Sequence, residues 1–145
     1  MIVHHILQTK ANKGIFTISA DRPITVAAQT LHENRIGALV VTGEAGSIIG
    51  ILSERDIVRG MALQGQSCSM WKVSDLMTAH VLVCDPHDTL DDLMSVMSKH
   101  HIRHLPVVEN NKLIGMVTIR DVVKAKLEEA SQEVDHLRDY VMTGG

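Results

Sequence analysis

One feature constrains this 145-residue chain more than any other: it repeats itself once. The segment ENRIGALVV (33–41) lies over KHHIRHLPVV (99–108) with Ile36 on Ile102, a shift of 66, and Ile24 falls on Leu90 with the same shift. SIIGILSERDIV (47–58) then lies over KLIGMVTIRDVV (112–123) with Gly50 on Gly115, a shift of 65. One residue has been lost from the connecting turn, TGEAGS against ENNK. The openings match as well, Val3-x-x-Ile6-Leu7 against Val73-x-x-Leu76-Met77. A duplicated unit of this size must fold as two similar bodies. The repeats read as residues 1–70 and 71–145, with the join in the Gly/Ser/Gln-rich stretch Gly65–Trp71.

Each repeat carries the same pattern. An extended stretch (Ile15–Ile18, then Val81–Val83) precedes a helix marked by Ile24, Ala28 and Leu31, or by Leu90, Leu93, Met94 and Met97. Two β-branched strands follow, Ala38–Val41 with Ile48–Leu52 and Leu105–Val108 with Leu113–Val117, each pair joined by a Gly- or Asn-containing turn as in a hairpin. A second helix begins near Asp56 or Asp121. The order β-α-β-β-α gives a small sheet with helices on one face and the other face bare. Two such units can bury their bare faces on each other. The expectation is an α+β fold of two repeats packed through their sheets with pseudo-two-fold symmetry.

Composition narrows the function. The apolar fraction of 45% suffices for a core without staples. Phe16, Trp71 and Tyr140 are the only aromatic residues, too few for recognition by base stacking. A net charge of −3 argues against nucleic-acid binding. Cys68 and Cys84 form no CxxC, which points to a reducing compartment. The start MIVHHILQTK does not read as a secretory signal, and the apolar runs are too short to span a bilayer, so a soluble, cytoplasmic protein is expected.

The residues with chemical content are Ser53-Glu54-Arg55-Asp56 and Thr118-Ile119-Arg120-Asp121. Both follow a Gly-containing strand and both open a helix. A hydroxyl with an acid three residues later is close to a capping box, and that structural role stands beside any other. The pattern nevertheless occurs twice, with Arg in the same slot and a Gly three residues earlier, where a ligand can approach the backbone. The set suits a nucleotide. A carboxylate accepts from both ribose hydroxyls, a hydroxyl and a helix N-terminus meet phosphate, and Arg balances the remaining charge.

HIRHLPVVENNKLIGMVTIRDVV (101–123) and its weaker echo RIGALVVTGEAGSIIGILSERDIV (35–58) resemble a tandem pair of cystathionine-β-synthase-type (CBS) domains, a Bateman module, over essentially the whole chain. The resemblance implies two clefts between the repeats for adenosine derivatives: AMP, ADP, ATP, S-adenosylmethionine or NAD(H). It implies ribose contacts for Asp56 and Asp121, and phosphate contacts for Ser53 and Thr118, with Arg55 and Arg120 as phosphate partners. Cleft-lining roles follow for Arg35, Ile36 and Ala38, and for Arg103, His104 and Pro106; base contacts follow for Thr17, Ile18 and Val81–Val83. Repeat 1 departs from the pattern, with Val40 where repeat 2 has Pro106, and Gly37 and Ala38 for Arg103 and His104. The clefts are therefore chemically unequal, the second having more cationic reach. The resemblance further implies a pair that stands alone rather than attached to an enzyme, so the regulated partner is expected to be a separate, unknown protein.

Other features carry less. Gly43-x-x-Gly46-x-x-x-Gly50 lies between strands and does not lead into a helix, as a dinucleotide loop would. His100, His101 and His104 sit beside Lys99 and Arg103, which disfavours a metal; they read as helix C-terminal charges and one cleft residue. No nucleophile–base or paired-carboxylate arrangement points to an enzyme. The reading is a non-catalytic nucleotide sensor, with a ligand-free structural dimerisation module as the alternative. Leu31, Leu93 and Met97 are expected to be only partly covered, which suggests a homodimer. In the last helix Val123, Leu127, Ala130, Val134, Leu137 and Val141 alternate in steps of four and three, a heptad-like stripe for packing on the chain itself or for self-association.

Overall fold

A computed structural model describes residues 2–10 and 15–143. In chain order these form α1 (Val3–Thr9), β1 (Thr17–Ser19), α2 (Ile24–Asn34), β2 (Ala38–Thr42), β3 (Ile48–Ser53), α3 (Glu54–Gln64), α4 (Val73–Leu76), α5 (Leu90–His100), β4 (His104–Glu109), β5 (Lys112–Thr118) and α6 (Ile119–Thr143). Short 3₁₀ turns occupy Glu44–Gly46 and Gly65–Met70. The chain divides into two compact units, Ile15–Leu82 and Met1–Gly14 with Val83–Gly145. We call them the Ser53 unit and the Thr118 unit.

The units in space are cut differently from the repeats in sequence, and hydrogen bonds show why. The opening of repeat 2 docks on the body of repeat 1: Val73 N–H donates to the Arg22 carbonyl and Ser74 N–H to that of Ala20, both at 2.9 Å. The opening of repeat 1 makes the same pair of bonds in the other unit, from Val3 N–H to Asp88 and His4 N–H to Pro86, again at 2.9 Å. Each repeat lends its first helix to the other.

In the Ser53 unit β1 runs parallel to β2, and β2 antiparallel to β3. Its core gathers Ile18, Ile24, Ala27, Leu31, Leu39, Val41, Leu52, Cys68, Val73 and Leu76. Ala27 rather than Ala28 completes the inward stripe of α2, and in the join at Gly65–Met70 Cys68 is buried while its neighbours are exposed. Each fully buried Leu or Val contributes roughly 1.5–3 kcal/mol, so a charged residue at Leu39 would remove the seat of both neighbouring strands. In the Thr118 unit β4 and β5 form an antiparallel hairpin. It closes through Asn110 (φ 52°) and Asn111 (φ 63°), the paired positive φ of a two-residue type I′ turn that Asn tolerates. On α5, Leu90, Leu93 and Met97 are buried, whereas Met94 is exposed.

The duplication reaches the irregularities. α2 ends at Arg35 (φ 53°) and α5 at His101 (φ 54°), both left-handed and 66 residues apart. Each hairpin has its register shift at the same place, after Val41 and after Val107.

Two expectations need correction. Val81–Val83 is not a strand; the second unit keeps only a single parallel bridge, Cys84 to Val107. The reason is proline. In the first unit Val40 N–H donates to the Phe16 carbonyl (3.0 Å), and Ala20 N–H to that of Thr42 (3.3 Å). The counterparts of those two donors are Pro106 and Pro86, which have no N–H, so the ladder is cut on either side of Cys84. Second, Leu31, Leu93 and Met97 are buried within the chain, at 4%, 1% and 3% exposure, and leave no partly covered face. Exposed apolar residues cluster instead on α3, at Val58, Met61 and Leu63, and along α6, with Ile15, Met70, Val83 and Met94 exposed elsewhere.

Candidate functional site

Each hairpin delivers a hydroxyl residue to the start of a helix and sets a fixed pair of neighbours beside it. Ala38 lies directly opposite Ser53, and His104 opposite Thr118. The preceding residues are tied to the helix starts: Glu54 N–H donates to the Gly37 carbonyl and Ile119 N–H to that of Arg103, both at 2.9 Å. Antiparallel register alone thus brings 37–38 to the Ser53–Asp56 corner and 103–104 to the Thr118–Asp121 corner.

Both corners are full capping boxes. Asp56 N–H donates to Ser53 Oγ (3.2 Å) and Ser53 N–H to Asp56 Oδ2 (2.9 Å). Asp121 N–H donates to Thr118 Oγ1 (3.2 Å) and Thr118 N–H to Asp121 Oδ2 (2.9 Å). These bonds satisfy helix N–H groups that have no partner within the helix.

Beyond the shared box the corners diverge. Asp56 is closed. Its Oδ2 also accepts from Ser53 Oγ (3.1 Å), its Oδ1 accepts from Arg59 (2.8 Å) and Thr78 Oγ1 (3.4 Å), and its side chain is only 5% exposed. Asp121 is more open, with 23% of its side chain exposed, and its further partner is Lys10, whose ammonium donates to Oδ2 and to the Met116 carbonyl at 2.8 Å each. Lys10 follows α1, so the contact ties two elements far apart in sequence. The His104 imidazole is held below its ordinary pKa, first by burial and then by the Lys10 and Arg103 cations, against the opposing pull of Asp121. This corner therefore combines one carboxylate, two cations near a neutral imidazole, and the N-terminus of a 25-residue helix.

The remaining candidates fall as follows. Arg35, at its left-handed position, Arg55, Arg103 and Arg120 are exposed; Ile36 is half-buried; Ala38 and Pro106 are buried. Thr17 is exposed on β1, while Ile18 is packed in the core. Val81 belongs to the Ser53 unit and Val83 to the Thr118 unit, where it is exposed. Gly50 does not present open backbone to a ligand: a Cβ there would meet Met77 Sδ at 2.6 Å and the Thr78 carbonyl at 3.1 Å. Its bare face admits the returning segment, where Thr78 and Ile51 exchange backbone bonds of 2.9 and 3.0 Å. Sequence reasoning missed Arg59, Thr78 and Lys10. Arg59, at i+3 from Asp56, was readable; Lys10 had no local signal.

Among the described residues no helix is long and apolar enough to cross a membrane. A profile of the CBS domain matches residues 5–63 and 73–128. The CBS domain-containing protein CBSX3, mitochondrial, of Arabidopsis thaliana is 35% identical over 130 residues, which are 87% of this chain and 63% of that protein; this chain thus spans less than two thirds of that relative's length. A solved CBS-domain-containing protein of Agrobacterium tumefaciens superposes with a TM-score of 0.83 at 42% identity, over 86% of this chain and 92% of that one. The CBS domain pair of protein MJ0100, in complex with 5′-methylthioadenosine and S-adenosyl-L-methionine, superposes with a TM-score of 0.77 at 26% identity, over 89% and 98%. CBSX2 in complex with AMP does so with a TM-score of 0.75 at 25% identity, over 88% and 97%. Two capping-box corners on a duplicated β-α-β-β-α frame, matched twice by one profile, make this chain a member of the CBS domain family, carrying two copies of the domain.

Proposed function

We propose that this chain is a non-catalytic regulatory module that binds an adenine nucleotide (AMP, ADP, ATP or NAD(H)), with the Thr118–Asp121 corner as its principal site. The observation that carries the reading is the partly exposed Asp121 carboxylate, held by Lys10 beside Arg103 and a neutral His104. Asp121 accepts the ribose hydroxyls. Thr118 Oγ1 accepts one helix N–H and keeps its own O–H to donate to phosphate, with Arg120, Arg103 and Lys10 supplying cations. Ser53, Arg55 and Asp56, with Arg35, Ile36 and Ala38, form the weaker counterpart, because Ser53 Oγ and Asp56 are already bonded to each other. Thr17, Ile18, Val81, Val83 and Pro106 serve the base. Support comes from relatives solved with AMP, and with methylthioadenosine and S-adenosylmethionine, which share adenosine.

A thermal-shift screen over AMP, ADP, ATP, NAD, NADH and S-adenosylmethionine tests it. A ligand at 100 times its dissociation constant stabilises by about 2.7 kcal/mol, on the order of 5–10 °C at this length. No shift above about one degree with any of the six defeats the reading. It favours the second one, a ligand-free structural module, for which the complete capping boxes already account for both aspartates. We further infer a homodimer that acts on a separate cytoplasmic protein; the apolar surface exposed on α3 and α6 supports the association.

A further inference from the structure

We propose that the C-terminal part of α6 pairs with the same helix of a second copy as a short parallel coiled coil. This rests on the homodimer reading and adds its surface and orientation. α6 contacts its own unit near its start: Val122 and Ala125 are buried, and Lys126 bonds Asp91 at 2.6 Å. From Ala130 to Met142 every residue is exposed. The stripe Val123, Leu127, Ala130, Val134, Leu137, Val141 is centred roughly 100° round the helix from Val122 and roughly 160° from Ala125, at about 100° per residue, and all six residues are exposed. Among the described residues none buries it. A solvated helix segment of this length is marginal in water, and this one carries Val134 at 47% exposure, Leu137 at 65% and Val141 at 69% on one side. Val134, Leu137, Arg138, Val141 and Met142 line a shallow apolar concavity there.

The pattern selects the occupant. With Leu127, Val134 and Val141 at a, and Val123, Ala130 and Leu137 at d, the segment from Val134 to Val141 has β-branched residues at a and Leu at d. That combination favours two parallel strands. The flanking charges agree. In a parallel pair Glu133 (g) faces Arg138 (e) of the second copy five residues on, twice by symmetry. In the antiparallel pair with the same layers Glu133 meets Glu133, and Lys124 meets Arg138. Like charges there disfavour that orientation.

Sedimentation equilibrium on the full chain tests this, with far-UV circular dichroism to verify folding; the altered residues are exposed and none belongs to a core. Leu137→Asp is expected to weaken self-association at least tenfold. Arg138→Glu alone and Glu133→Arg alone should each weaken it roughly 3- to 10-fold. An equimolar mixture of those two variants should restore it, because each cross pair is then opposite in sign. A strengthened dimer with Arg138→Glu overturns the parallel orientation. A wild-type dimer unchanged by Leu137→Asp overturns the tail as the contact but leaves the homodimer standing. A wild-type monomer at high micromolar concentration overturns both.

Discussion

Removing each aspartate in turn should separate capping from binding, because the two side chains are built into their corners to different depths. Asp56→Ala deletes the acceptor of Ser53 N–H, Ser53 Oγ, Arg59 and Thr78 from a side chain 5% exposed. Losing the acid's half of the capping box, the acceptor of Ser53 N–H, costs about 1 kcal/mol, and depriving Ser53 Oγ, Arg59 and Thr78 of their acceptor as well brings the total to ~2–4 kcal/mol. Asp121→Ala deletes the same half of the box, the acceptor of Thr118 N–H, but only one further partner, Lys10, at a site 23% exposed. A partly solvated pair adds ~0.2–1 kcal/mol, so the total is ~1–2 kcal/mol. At roughly 3–5 °C per kcal/mol for this length, Asp56→Ala should melt distinctly lower than Asp121→Ala. Affinity should run the other way. Charge-assisted bonds to ribose are worth ~1.5–3 kcal/mol each, so Asp121→Ala should bind the nucleotide about tenfold or more weakly. Asp121→Asn, whose side-chain oxygen still accepts from Thr118 N–H, should retain stability and lose affinity. Urea or thermal melts without ligand, and calorimetric titration with it, measure the two orders. If both variants lose stability equally and neither loses affinity, the aspartates hold helices and nothing else.

Three further outcomes are expected. Because His104 titrates below its ordinary value, the unfolded chain takes up a proton that the folded chain refuses. Stability should therefore fall as pH drops through about 6.5 and level off below the lowered folded value, and urea midpoints from pH 8 to 5 should flatten in His104→Gln. Burial and the nearby Asp88 and Asp85 push the Cys84 thiol up to about 12, so iodoacetamide should modify the Cys84 peptide quickly in urea and hardly at all in the folded protein, as mass spectrometry can follow. Gly50→Ala should cost ~1–3 kcal/mol in a thermal melt by overpacking, with part of the loss relieved in a Met77→Ala background, since Met77 Sδ is the nearest obstacle.

The parts of this fold that were legible in the sequence are those written locally. Apolar spacing on α2 and α5, strands flanking ENNK, and a hydroxyl three residues before an acid each depend on neighbours within one turn or hairpin. The helix loans were not legible as contacts: Val3 and Val73 look alike in sequence, but nothing near either says which body it joins. Proline explains the lost strand, yet only the pairing of Val40 with Phe16 and Ala20 with Thr42 identifies which two N–H groups are missing at Pro106 and Pro86. The burial of Leu31, Leu93 and Met97 was misjudged because periodicity marks an apolar face without saying how completely it is covered. Lys10 was unreadable because it reaches Asp121 across 111 residues.

Backbone geometry cannot be what distinguishes the corners, since caps, register and left-handed helix ends are duplicated almost bond for bond. The difference lies in who else holds the acid. Arg59 is on the same helix as Asp56, three residues on, so its tie is local and the carboxylate stays buried under it. A ribose entering there must uncover a buried carboxylate and displace Arg59 and Ser53 Oγ from it, against hydrogen bonds it can only replace. Lys10 reaches Asp121 from another element, with 21% of its side chain exposed, and its ammonium also has the Met116 carbonyl. A ribose that takes Asp121 leaves Lys10 next to the nucleotide, where phosphate offers it a replacement anion. On the proposed reading the exchange is thus nearly balanced at Asp121 and unfavourable at Asp56. One duplicated frame then yields one strong site and one weak one, and titration of the wild type should resolve two affinities or a single occupied site per chain.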